Sequence, residues 1–227
     1  VCGAADGGEE KMRMFDQDGN LDADIQDALY EVGNVGLGMA SITIGQILGM
    51  RVLLESPLVV PLESSEIEKY VVDVVSPKGH TKFGFFMEFQ DQMQGMLLLI
   101  IDRDFILKVI EKMTGRVFEG DDILDDEVNF SAISEFANMI AGAYMKAIGS
   151  YTGIRIYLSP VTANIGKGIS LLKDAVERLS CVCDRAICVK TDFVLSGEDG
   201  GKVGNSGQVI MMPGQDSVAT LMEALGM

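Results

Sequence analysis

The sequence predicts a mixed fold, an α/β (α+β) arrangement in which a mainly antiparallel sheet is packed with long helices. Three observations predict it. Long stretches with helical apolar spacing alternate with short runs rich in Val, Ile and Phe. Two such runs, Tyr70 to Ser76 and Thr81 to Phe89, are joined by a turn containing Pro77-Lys78-Gly79, which reads as a hairpin, and hairpins are antiparallel. The order of elements then begins again near Asp125, so the unit is duplicated. Two copies filling the chain make two halves of a single domain, about 22–115 and 125–227, and not a solenoid.

The first element is the longest. Asp22 to Gly49 reads as one helix, which Asp22 or Asp24 can cap. Its inward stripe is Ile25, Leu29, Val32, Gly36, Ala40, Ile47 and Met50. Gly33, Gly36, Gly38, Gly45 and Gly49 each lower helicity by roughly 1 kcal/mol relative to Ala, so close packing has to hold this helix. Arg51 to Leu54 is a short strand, with Pro57 after it. Beyond the hairpin, Gln94 to Ile101 is an apolar strand buried on both faces. Asp102 to Thr114 is a helix closed by Gly115, and Phe118 to Asp122 is an acidic loop.

The second round follows the same plan. Asp125 to Ile148 is a helix, with Ile133, Phe136, Ile140, Tyr144 and Ala147 turned inward. Ile154 to Leu158 is a strand before Pro160. Ile169 to Leu179 is a weakly patterned helix, Cys181 to Leu195 a long alternating strand, and Ser196 to Gly207 a glycine-rich loop. Gln208 to Met212 and Asp216 to Leu225 supply a last strand and helix. Gly95 to Gly115 and Gly207 to Met227 have equal length and the same layout of strand, Asp, helix and closing Gly.

Composition narrows the function. The net charge is −16, from 18 Lys and Arg against 34 Asp and Glu, which argues against nucleic acid or an anionic membrane as partner. No run of 18 apolar residues is present to span a bilayer. Residues 1–21 read as a flexible N-terminal tail without a signal peptide. Cys181, Cys183 and Cys188 read as buried free thiols of a reducing cytoplasm. No metal site is visible, because the only His, His80, is far from them and itself reads as a solvated turn residue.

One motif recurs. Asp27-Ala28-Leu29-Tyr30-Glu31-Val32-Gly33-Asn34 returns as Ser131-Ala132-Ile133-Ser134-Glu135-Phe136-Ala137-Asn138. At 100° per residue, Asp27, Glu31 and Asn34 fall at roughly 0°, +40° and −20°, on one narrow helix face. That face continues through Gly38 and Gly45, and through Gly142 and Gly149, bare enough for another surface to approach. A single such trio is usually solvated surface. Recurrence of Glu and Asn in matching slots of two otherwise different helices is not explained that way. Asp27 and Glu31 could share a hard cation, but there is no third ligand, and the second copy has Ser131 in place of the acid.

At these residues the chain resembles the CheC family of chemotaxis phosphatases, whose pattern Asp/Ser-x3-Glu-x2-Asn, followed by x22-Pro, occurs twice. The first copy matches through Pro57, and the second is one residue short before Pro160. Gly33-Asn34-Val35-Gly36-Leu37-Gly38 also looks like the family's glycine-rich continuation. The resemblance covers roughly Ile25 to Met227. It implies a CheC-like sandwich with pseudo-twofold halves, hydrolysis of the aspartyl phosphate of the response regulator CheY, and a complex with the deamidase CheD. It also implies Glu31, Asn34, Glu135 and Asn138 as site residues. Asp27, Ser131, Gly38 and Gly142 are then expected to meet the partner. The chain is expected to carry no metal or cofactor of its own, the Mg2+ being held by the regulator. Two rivals are a flagellar switch phosphatase of the FliY type, disfavoured by the lack of an added domain before Met227, and a non-catalytic adaptor that docks CheD or a receiver domain.

Overall fold

The computed structural model describes residues 14–16, 19–75, 82–118, 123–165, 185–196 and 202–227. Two helices of equal length dominate it, α1 (Ala23–Leu48) and α4 (Glu127–Thr152), each of 26 residues. The Asp22 side chain accepts from the N–H groups of Asp24 and Ile25, and Asp126 accepts from those of Val128 and Asn129. These caps satisfy amides that a helix start leaves unpaired. Each helix closes on a left-handed glycine, Gly49 at φ 67° and Gly153 at φ 75°, a conformation in which a Cβ is strained. Every position of α1 thus maps onto α4 104 residues later, Asp22 onto Asp126 and Gly49 onto Gly153.

The sheet interlocks the halves. β1 (Val52–Leu54) and β2 (Leu58–Glu63) lie end to end along β7 (Arg185–Ser196). β5 (Ile156–Leu158) and β6 (Thr162–Ile165) lie end to end along β3 (Lys82–Asp91). β4 (Gly95–Asp102) and β8 (Lys202–Pro213) pair in the middle, giving the order β1-β7-β8-β4-β3-β5, antiparallel throughout. Each half therefore lends its edge strands to the other half's hairpin. Both hairpins repeat one packing device. Phe89 stands opposite Gly95 and Phe193 opposite Gly207. A Cβ on either glycine would collide with the facing ring, so the ring covers backbone that only Gly leaves bare.

Strand alternation sorts the core into two layers. Leu97, Leu99 and Ile101 of β4 join the larger cluster, beneath α1, α4, α3 (Arg103–Thr114) and α5 (Gln215–Leu225). Met96, Leu98 and Ile100 face the other side, with Cys188, Ile210, Met212 and Ile67 of α2 (Ser64–Val75). Helices thus cover both faces of one sheet.

Several elements differ from the sequence reading. Tyr70 to Val75, expected as a strand, lies in α2. Glu66 Oε2 accepts the Glu63 N–H at 3.2 Å, a cap-like contact, and Ile67 and Tyr70 turn onto the back of the sheet at helical spacing. Burial there overrides the strand preference of the valines. The hairpin joins β3 to β4 instead. The expected loop from Ser196 to Gly207 is largely strand, since β8 begins at Lys202 and pairs with Ser196 across an irregularity after Val194. The sequence reading assigns no strand at β2, which contains Pro61, a residue that an edge strand tolerates. Within the stretch expected as a tail, Met14, Phe15 and Leu21 pack on the core, and the Arg185 guanidinium lies 5.1 Å above the Phe15 ring. His80, Cys181, Cys183 and the expected helix Ile169 to Leu179 lie outside the described residues.

Burial pushes the Cys188 thiol up from 9.0 to about 12 and also raises the Tyr144 phenol. Both groups keep their protons longer in the folded state. Their stabilisation is complete below the unfolded values and is lost as pH rises above about 9. Urea midpoints are therefore expected to fall on the alkaline side of pH 9, and a midpoint that rises there would contradict this.

Candidate functional site

The two long helices lie against each other on one face of the sheet, and their contact is close because of one glycine. A Cβ at Gly36 would stand 2.7 Å from the fully buried Tyr144 ring. On the outer side, Asp27, Glu31 and Asn34 are exposed, as are Ser131, Glu135 and Asn138. The i, i+4, i+7 spacing places each trio on one face, away from the core stripe. Among the described residues, none of the four Glu and Asn side chains is held by a hydrogen bond or an ion pair. All four are available to a partner.

The glycines beyond the trios divide into two kinds. A Cβ at Gly38 or Gly142 would meet nothing within 4 Å, so these positions leave the outer face flat. A Cβ at Gly45 would meet the Met50 carbonyl oxygen at 3.0 Å, and one at Gly149 the Ile154 carbonyl oxygen at 2.8 Å. Gly45 and Gly149 therefore admit the chain as it turns from helix to strand, and the bare approach face stops short of them.

The motif's proline has a structural place. A Cβ at Gly33 would meet Pro57 Cβ at 3.1 Å and Val189 Cγ1 at 2.9 Å. Pro57, in the break between β1 and β2, thus packs against α1 beside Asn34. In the second half β5 and β6 start 104 residues after β1 and β2, so the earlier Pro160 does not shift the strands.

A groove of about 640 Å³ runs between the two helices. It is lined by Asn34, Gly38 and Met39 of α1 and by Lys146, Ser150 and Tyr151 of α4, among others. Asn34 of the first trio therefore faces a groove shared by both helices. α4 forms the opposite wall. Recurrence between the two copies does not single out Lys146 or Tyr151. The residue equivalent to Lys146 is Ile42, so comparing the copies passes over it. Among the described residues no group of three or more His, Cys, Asp or Glu is placed to hold a metal ion. No described helix is long and apolar enough to cross a membrane.

Paired Glu and Asn on two packed helices, over one interlocked antiparallel sheet, define a duplicated scaffold with two polar faces. Its relatives are chemotaxis proteins. The profile of the chemotaxis phosphatase CheX matches residues 83–184, a span that holds the second trio. The CheY-P phosphatase CheC of Bacillus subtilis (strain 168) is 26% identical over 202 residues, covering 88% of this chain and 93% of that protein. FliY of Thermotoga maritima shares the fold with a TM-score of 0.65 at 19% identity, over 91% of this chain and 98% of that one. The FliM middle domain of H. pylori shares it at 0.57 and 10% identity, over 90% and 99%. The chain is similar to CheC and to the CheX profile, and its mixed helix and antiparallel sheet architecture is shared with FliY and the FliM middle domain.

Proposed function

We propose that this protein is a cytoplasmic phosphatase that hydrolyses the aspartyl phosphate of a CheY-type response regulator. Two sites do so, Glu31 with Asn34 and Glu135 with Asn138. The observation that carries this is the pair of exposed, unheld Glu and Asn side chains at equivalent positions of α1 and α4. An acyl phosphate needs little beyond a water held in line with phosphorus and stabilisation of charge. The Asn amide serves the first need: its C=O accepts from the water and its NH2 can donate. The water oxygen bonds to phosphorus and the bond from phosphorus to the aspartyl oxygen breaks. The carboxylate leaves free, and both water protons end on the released phosphate. Glu carries the wrong sign to touch the phosphoryl group, so its role is to anchor a cation of the regulator through a charge-assisted pair. Asp27, Ser131, Gly38 and Gly142 border the docked partner. The Mg2+ of the reaction belongs to the regulator.

A second reading is an adaptor that docks CheD or a receiver domain without turnover. The FliM middle domain shares this fold, and fold alone does not assign catalysis. Kinetics separate the roles. In an Asn138→Ala chain, where only the first site works, Glu31→Ala is expected to raise KM roughly five- to tenfold with kcat little changed, because an exposed charged contact is lost. The mirror experiment is Glu135→Ala in an Asn34→Ala chain. A fall in kcat at unchanged KM would remove the anchoring role, and no turnover in any chain would leave the adaptor.

A further inference from the structure

The two trios sit on equivalent helices, but their surroundings differ in charge. At the first site, Asp27 begins the trio and Lys146 stands on the far wall of the groove that Asn34 lines. At the second, Ser131 replaces the acid, and the position equivalent to Lys146 is Ile42. Ile42 is 54% exposed. One site therefore has an acid and a cation where the other has a hydroxyl and an apolar side chain. Among the described residues Lys146 has no ion-pair partner of its own.

We propose that Lys146 is a phosphoryl-facing residue of the first site, and that the two sites work by different electrostatics. This rests on the phosphatase reading above. The chain carries a net charge of −16, and an aspartyl phosphate is itself an anion, so approach is opposed by long-range repulsion. A primary ammonium in the groove beside Asn34 offsets that repulsion locally. It donates to phosphoryl oxygens, and its three N–H groups turn freely to follow them. Asp27, exposed on the outer face of α1, then borders the docked regulator. The second site lacks both charges. It relies on Glu135, Asn138 and apolar contact with Ile42, a surface less sensitive to salt. The duplicated scaffold thus holds one site with an added acid and cation and one without them, for the same phosphoryl chemistry.

The test uses the full chain with a CheY-type receiver domain phosphorylated by acetyl phosphate. Asn138→Ala isolates the first site and Asn34→Ala the second. In the Asn138→Ala chain, Lys146→Gln is expected to lower kcat/KM about tenfold, the scale of one lost charge-assisted hydrogen bond. Lys146→Arg should recover most of it, whereas Lys112→Gln on α3 should have no such effect. The ratio of first-site to second-site turnover should fall as salt rises. In the Asn34→Ala chain, Ile42→Lys should increase turnover and its salt sensitivity. An unchanged kcat/KM in Lys146→Gln, or equal salt dependence of the two isolated sites, would overturn the proposal while the phosphatase reading stands. No turnover by either isolated site would overturn the phosphatase reading itself.

Discussion

A chain carrying both Asn34→Ala and Asn138→Ala is expected to lose phosphatase activity by roughly two to three orders of magnitude, the usual scale for removing a group that orients or stabilises the reacting atoms. Each single change should leave partial activity, because the other helix keeps its own amide. Both asparagines are exposed and off the core stripe, so the variants should stay folded within roughly 0.5 kcal/mol of the parent. KM for the phosphorylated regulator should change little in the single variants, since the docking Glu remains. The check is steady-state phosphate release, with urea unfolding of each variant alongside. If one single Asn variant lost all turnover while folded, the two faces would not be independent centres.

The second large effect is on stability. Phe105 of α3 is fully buried. Its ring lies 6.0 Å from Phe136 of α4 and 5.7 Å, edge-on at 78°, from Phe193 of β7. It therefore ties the first half to both a helix and a strand of the second. Phe105→Ala removes the apolar burial and leaves a cavity between three elements, a change that costs about 3–5 kcal/mol. For a chain of this size that corresponds to a Tm lower by roughly 10 °C. Because the edge strands are exchanged between the halves, the loss should move one cooperative transition and not split it in two. A destabilisation below about 1 kcal/mol, well under the range for such cavities, would mean that the core repacks around the missing ring.

Much of this fold was legible because helix signals are local. Asp caps, left-handed glycines and 3.6-residue apolar spacing located α1 and α4 within a few residues. The trios were legible for a different reason, since duplication gave an internal control that a lone copy lacks. What escaped depends on long-range pairing. The valines before Val75 favour strand, and only the back face of the sheet beneath Ile67 and Tyr70 makes that segment a helix. β2 and the start of β8 exist because β7 offers them its edges. The exchange of β1–β2 for β5–β6 leaves no local mark, because antiparallel partners far apart in sequence are chosen by register and burial. The groove wall that α4 sets opposite Asn34 likewise depends on packing between helices far apart in sequence. Lys146 is ordinary helix surface until Gly36 lets Tyr144, and with it α4, come close to Asn34.

The central claim is that this protein removes phosphate from a receiver domain by presenting an amide to the attacking water. The most direct measurement is phosphate release from a purified, phosphorylated CheY-type receiver domain with Mg2+ present, followed with no addition, with the parent chain and with the double Asn variant. The account predicts that the parent chain accelerates release catalytically, at substoichiometric amounts, and that the double variant binds the receiver but returns the rate to that of the receiver alone. Binding by the parent chain with no increase in rate, or full activity in the double variant, would contradict it.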